Sequence, residues 1–264
     1  MSYLSGNLVG ILNGIDTEIY NPAEDRFIST TFDADSLDKR VKNKIAIQEE
    51  TGLEINRNAM VVGIVARLVE QKGIDLVIQI LDRFMSYTDS QLIILGTGDR
   101  HYETQLWQMA SRFPGRMAVQ LLHNDALSRR VYAGADVFLM PSRFEPCGLS
   151  QLMAMRYGCI PIVRRTGGLV DTVSFYDPIN EAGTGYCFDR YEPLDCFTAM
   201  VRAWEGFRFK ADWQKLQQRA MRADFSWYRS AGEYIKVYKG VIGKPEELSP
   251  MEEEKIAELT ASYR

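Results

Sequence analysis

Residues 136–172 read DVFLMPSRFEPCGLSQLMAMRYGCIPIVRRTGGLVDT, and the order of their parts decides the fold. The apolar run Val137 to Met140, bounded by Asp136 and Pro141, has the length of a buried strand. A turn from Ser142 to Gly148 runs into a helical stretch, Leu149 to Tyr157, which Gly158 closes. Cys159 to Val163 is a second strand, after which Gly167 and Gly168 lead a second turn towards Asp171. The charged and glycine-rich residues all fall in the turns. In an open parallel sheet those turns lie at the carboxyl ends of the strands, where ligands bind. A helix entered through Pro146, Cys147 and Gly148 presents free N–H groups and a positive dipole end, which suits a phosphate. Arg143, Arg164 and Arg165 add positive charge on the same side.

Outward from this stretch the same alternation repeats. Before it, strands are predicted at Met60 to Ala66, Gln91 to Leu95 and Met117 to Leu122. Helices are predicted at Ser36 to Glu50 (apolar Leu37, Val41, Ile45 and Ala46), from Leu76 to Phe84, at His101 to Phe113 and at Ala126 to Ala133. Strands apolar on both faces, alternating with helices, predict an α/β fold: a Rossmann-like parallel sheet with helices on both faces and right-handed crossovers. After Asp171 come an edge strand at Gly185 to Asp189 and three helices, Pro193 to Gly206, Asp212 to Ala223 and Trp227 to Gly240. Leu8 to Leu12 reads as a short strand, and residues 16–35 as an extended loop or linker. Three parts follow: a strand and linker (1–35), a Rossmann-like domain (36–223), and a C-terminal helix with a charged tail (224–264). The start, almost inside a strand, reads as that of a fragment.

With 31 basic and 35 acidic residues in 264, the chain has no electrostatic footprint for nucleic acid. The four cysteines make no CxxC pair, and two histidines are too few for a zinc site, so neither a metal nor a disulfide framework is expected. A reduced compartment is expected, with no signal peptide and no membrane-spanning stretch.

The turns carry the candidate chemistry. Arg67 and Lys72 share a strand-to-helix loop in which Gly73 allows a tight bend, so fork and point charge can converge on one anion; otherwise they are two solvated cations beside Glu70. Gly96 and Gly98 form half of a dinucleotide fingerprint, or simply a tight turn. Glu145, extended before Pro146, can receive a ribose or sugar hydroxyl, offset an arginine, or favour the helix start. Cys147 reads as a small packed residue, His123 as the end of a strand, and the Trp227 to Tyr238 face as core packing.

LNGID (12–16), ARLVEQKGID (66–75), LGTGD (95–99), GADVFLMPSRFEPCGLSQLMAMRYGCIPIVRRTGGLVDTV (134–173) and DFSW (224–227) closely resemble bacterial glycogen synthases and plant starch synthases. That resemblance implies a retaining hexosyltransferase using ADP-glucose or UDP-glucose to elongate an α-1,4-glucan, with no metal and no other cofactor. It implies the C-terminal half of a GT-B enzyme, whose partner is the N-terminal half with its acceptor face. This chain alone is then an inactive half, from the cytoplasm of a bacterium or from a plastid. Carried onto this sequence, Arg67 and Lys72 hold the donor diphosphate, and Glu145 stands beside the donor glucose. Cys147, Gly148, Leu149 and Ser150 offer the turn and helix start to sugar hydroxyls and distal phosphate. Asn13 is an active-site asparagine, Gly96 and Gly98 belong to the nucleotide-binding set, and Gly167 and Gly168 lie below the sugar. His123 stands where relatives place a tyrosine against the base. Met153 stands where many related families place a second carboxylate. A regulatory nucleotide- or glycan-binding module on the same fold is the alternative, which intact Arg67, Lys72 and Glu145 disfavour.

Overall fold

A computed structural model describes residues 8–242. Six strands form one sheet in the order β3-β2-β1-β4-β5-β6. They are β1 (Val61–Val65), β2 (Gln91–Leu95), β3 (Met117–Gln120), β4 (Val137–Met140), β5 (Ile160–Arg164) and β6 (Tyr186–Phe188). Every pairing is parallel, so each connection must cross over through a helix. The strand order reverses direction between β1 and β4, which opens a crevice at their carboxyl ends. β1, β2 and β4 are buried almost throughout, as their unbroken apolar runs require.

Nine α-helices are described: α1 (Arg40–Thr51), α2 (Ile74–Tyr87), α3 (Arg100–Arg112), α4 (Asp125–Gly134), α5 (Ser150–Arg156), α6 (Gly168–Thr172), α7 (Pro193–Phe207), α8 (Lys210–Arg222) and α9 (Trp227–Ile242). Helix α2 packs on α3 and α7, and α4 packs on α1 and α5, with α8 against α5; these groups form the layers around the sheet. Leu76, Val77, Ile80, Leu81 and Phe84 are the buried face of α2, at the spacing read from the sequence. The short α6 falls where the sequence reads as a turn.

Helix α1 departs from expectation in the face it buries. Val41, Ile45 and Ala46 are only partly covered, while Arg40, Asn43, Lys44 and Gln48 are buried with Ile47. Each of those polar side chains is paired with a distant segment. Arg40 Nη2 donates to the Tyr132 and Ala135 carbonyls (3.1 and 2.6 Å), and Lys44 Nζ to Asp136 Oδ2 (2.7 Å). Asn43 brackets Thr30, and Gln48 Nε2 donates to Gln91 Oε1 at 2.6 Å. Burial here follows hydrogen bonding, because a partnered polar group loses little by leaving water.

Leu8 to Leu12 form no strand, and Leu8 and Val9 are exposed. The described sheet ends in β3 and β6, and this run pairs with neither. Residues 16–35 lack regular structure, as read, but they are fastened down. Ile28 and Phe32 are buried, and Tyr157 Oη donates to the buried Asp25 carboxylate at 2.5 Å. Ile15 bridges to Ser226, with its N–H donating to the Phe225 carbonyl at 2.8 Å. In α9 only Ser230 is buried, and Trp227, Tyr228, Tyr234, Ile235 and Tyr238 are exposed, so their face is not core among the described residues. The charged tail, 246–264, lies outside the described residues.

Candidate active site

The crevice is built from the loops that leave β1 and β4. Arg143 N–H donates to the Gln71 carbonyl at 2.9 Å, which ties the two loops together. Gly73 is what permits that approach: its φ is +76°, and a Cβ there would stand 2.2 Å from the Pro141 carbonyl oxygen. The 3-10 turn Glu70–Lys72 ahead of it aims Lys72 across the gap. Lys72 Nζ donates to Glu145 Oε2 at 2.5 Å, and Ser142 Oγ donates to the same oxygen at 3.3 Å. Glu145 is 8% exposed, and Lys72 is the cation that offsets its burial.

Glu145 is held from behind by the second glycine turn. Gly168 N–H donates to the Glu145 and Pro146 carbonyls, at 3.2 and 3.1 Å. Gly167, at φ +48°, lies so close that a Cβ would stand 2.0 Å from the Glu145 oxygen. These two glycines therefore shape the backbone that carries the carboxylate. Cys147 is a half-buried free thiol whose carbonyl accepts from Gln151 Nε2 at 3.2 Å. Gly148 turns the chain at φ +76°, Leu149 precedes α5 and is exposed, and Ser150 opens that helix.

Two adjoining cavities meet here. One, of about 170 Å³, is lined by Arg67, Lys72, Ser142 and Ser150 among others. The other, of about 280 Å³, is lined by Gly96, Thr97, His123, Asn124, Tyr20 and Met153. Val65, Ala66, Arg67 and Ser150 line both, so Arg67 and Ser150 stand at their junction. Arg67 is exposed, and its guanidinium donates to Gln71 Oε1 at 3.5 Å. Among the described residues it has no carboxylate partner, and it stands where a ligand would cross between the cavities.

Several residues fall elsewhere than the sequence reading has them. Arg143 is ion-paired, and Arg164 directs its donors to backbone carbonyls. Arg143 pairs with Glu70 at 2.7 Å and lies over the Tyr191 ring at 4.1 Å. Arg164 Nε donates to the Ser142 carbonyl at 2.9 Å, and its Nη2 donates to the Arg143 carbonyl. Together they brace the turn that carries Glu145. Arg165 has the exposed Asp189 at 3.7 Å. Gly98 lines neither cavity; it bridges to Leu68 and stiffens the loop behind Arg67. Asn13 is exposed near the Ile15–Ser226 bridge and lines neither cavity. His123 stands on the wall of the larger cavity, three residues beyond the end of β3.

The residue that sequence reasoning missed is Tyr20. It comes from the irregular segment, more than a hundred residues ahead of His123, and lines the same cavity. Arg129 holds it, with the guanidinium 4.9 Å from the ring and Nη1 donating to the Ile19 carbonyl at 2.9 Å. Arg129 is held in turn by Asp125 at 2.9 Å, and burial raises the Tyr20 phenol above its ordinary pKa. No local pattern marks Tyr20, since its place is set by packing alone.

Residues 46–203 match the family model "Glycosyl transferases group 1". The chain is 98% identical over its whole length to "Glycogen synthase 1" of Synechocystis, covering 55% of that protein. It is 72% identical to the "Glycogen synthase" of Trichodesmium erythraeum, over 94% of this chain and 54% of that one. The chain thus spans about half the length of the curated relatives it matches. Among solved structures it is similar to the catalytic domain of starch synthase IV from Arabidopsis thaliana, bound to ADP and acarbose. The TM-score is 0.83 at 34% identity, over 90% of this chain and 50% of that chain. A family model covering well over half the sequence, laid on a six-stranded parallel sheet with its crevice at the β1–β4 switch, places the chain in the glycosyl transferases group 1 family.

Proposed function

We propose that this chain is the donor-nucleotide half of a retaining glucan synthase, which moves glucose from ADP-glucose or UDP-glucose to the non-reducing end of an α-1,4-glucan. One observation carries the reading: Arg67, without a carboxylate partner among the described residues, and Glu145-bound Lys72 face one crevice at the strand switch. The names of its relatives support the substrate class.

In the transfer, the bond between the glucose C1 and the diphosphate oxygen breaks, and its electron pair leaves with the nucleoside diphosphate. The acceptor hydroxyl oxygen bonds to C1 on the face the diphosphate left, and its proton passes to the departing phosphate oxygen. Negative charge grows on that oxygen as the bond stretches. Fixed cations there stabilise the transition state more than the ground state, which is what acceleration requires. Arg67 and Lys72 fill that role, so the step is written with no metal. Glu145 holds Lys72 in place and has its remaining acceptor capacity for a sugar hydroxyl. The larger cavity, between Tyr20 and His123, takes the nucleoside.

Calorimetric titration of this chain with ADP, UDP and NAD tests the reading. Saturable ADP or UDP binding that Arg67→Ala weakens is expected, with none for NAD. Unchanged nucleotide affinity in Arg67→Ala and Lys72→Ala alike would remove the diphosphate assignment.

A further inference from the structure

A third cavity, of about 290 Å³, opens at the other end of the sheet. Its floor is Asp136, the residue just before β4, whose Oδ2 accepts from Val61 N–H at 2.8 Å. The donor crevice lies at the carboxyl end of the same two strands. Five residues of β1 separate the ends, a distance of about 15–20 Å.

The walls of this cavity carry four cationic side chains, Arg40, Lys44, Arg57 and Lys210, against two carboxylates, Asp38 and Asp136. Asp136 is already committed, since the same oxygen receives Lys44 Nζ at 2.7 Å. Lys44 and Lys210 crowd one aromatic ring: their ammonium nitrogens lie 4.9 and 3.0 Å from the centroid of Phe207. Burial, with Lys44 adding to it, pushes Lys210 down to about 8, although Asp136 works in the opposite direction. Arg57 and Lys210 are exposed and have no ion-pair partner among the described residues.

The lining is also rich in donors and poor in acceptors. Arg40 is 6% exposed; its Nη2 serves two carbonyls, while its Nε is buried with no acceptor among the described residues. Trp213 Nε1 behind the same wall is likewise without one. Helix α8 begins at this cavity, and its N-cap residue, Phe209, places no side-chain acceptor on the first amides. Buried donors without acceptors are uncommon in folded proteins, and these two add positive potential behind a wall that already holds a surplus of cations.

We propose that this cavity is a second anion site, and that it takes a phosphate monoester of a small metabolite. A tetrahedral dianion matches the two-charge excess and can meet donors arriving from three directions, α1, the loop holding Arg57, and the start of α8. A planar carboxylate offers two oxygens to the same donors. A nucleotide is disfavoured because the Phe207 ring is already occupied by ammonium groups and the Trp213 ring is buried. The exposed Gln214 amide at the rim suits a hydroxyl on the carbon body.

The test is calorimetric titration of the 264-residue chain with glycerol 3-phosphate, with glycerol as blank. Saturable binding is expected in the unaltered chain and, with equal affinity, in Arg67→Ala, where the donor crevice is impaired. Lys210→Gln and Arg57→Gln, both at exposed positions, are expected each to weaken it about tenfold or more, as loss of a charge-assisted contact does. Circular dichroism and melting temperature identify any variant that has not folded, and the two variants stand independently. Side-chain NMR of Lys210 is expected to show its titration moving upward when glycerol 3-phosphate binds. No saturable binding to the unaltered chain would overturn the proposal. Binding kept in both variants but lost in Arg67→Ala would also overturn it, by assigning the ligand to the donor crevice.

Discussion

Among the described residues the Arg67 guanidinium hydrogen-bonds one side chain, Gln71, so its removal strands no buried charge. Arg67→Ala is expected to keep its melting temperature and to lose ADP affinity by about ten- to a hundredfold, the usual cost of a charge-assisted contact. Lys72 is different because Glu145 is buried against it. Lys72→Met is expected to weaken ADP binding and also to lower the melting temperature, since it leaves a buried carboxylate unpaired. Lys72→Met/Glu145→Gln is expected to recover much of that stability without recovering ADP affinity, a separation that thermal melts and titration can read. His123→Tyr is expected to change the ratio of ADP to UDP affinity more than it changes pyrophosphate binding; equal effects on all three would place His123 outside base recognition. Arg67, Lys72 and Glu145 were legible in the sequence because they lie in turns that a strand–helix alternation necessarily gathers at one sheet edge. The pairing of Arg143 with Glu70 was not legible, because the two lie far apart along the chain and local spacing does not join them. Tyr20 was illegible for the same reason.

Strands and helices were legible where hydropathy sets burial. The run Val61–Val65 and the face of α2 were read correctly because an apolar period has one low-energy answer. Helix α1 defeated that logic, since its buried face is held by hydrogen bonds to partners up to 95 residues away. Leu8 to Leu12 defeated it in the opposite sense, because an apolar run becomes a strand only where an edge receives it. Between elements, Gly73 fixes how closely the β1 and β4 loops approach. Gly73→Ala is expected to disturb the Lys72–Glu145 pair and lower both stability and ADP affinity, whereas Gly52→Ala, also at positive φ but in open space, is expected to lower stability alone. Lys210, at the start of α8, gives a pH signature. Its folded value is below its ordinary one, so between about 8 and 10.5 the unfolded chain holds more protons than the folded one. Stability contributed by this group therefore rises with pH across that window. Thermal melts from neutral to alkaline pH are expected to show that rise in the unaltered chain and less of it in Lys210→Met.

On the proposed reading, the whole domain supplies one wall of a reaction that needs two. A retaining transfer requires donor, acceptor and stabilising groups held together away from water. On that reading the described residues form the nucleotide side, and among them the aromatic face of α9 is uncovered. These 264 residues are expected to bind ADP and to incorporate no labelled glucose into glycogen. Adding the separately produced remainder of a full-length relative is expected to restore incorporation. Turnover by the chain alone, proportional to its concentration and abolished by Lys72→Ala, would contradict this.

The bridge between Ile15 and Ser226 has a mechanical meaning. Two points more than two hundred residues apart in sequence are clipped together by the Ile15 N–H and the Phe225 carbonyl. Tension drawn through the two ends of the chain passes across that clip and bypasses everything folded between. A pulling experiment should therefore register the clip opening first, at low force, and only afterwards the rupture of the parallel sheet. Until it opens, the donor crevice is shielded from strain arriving through either end.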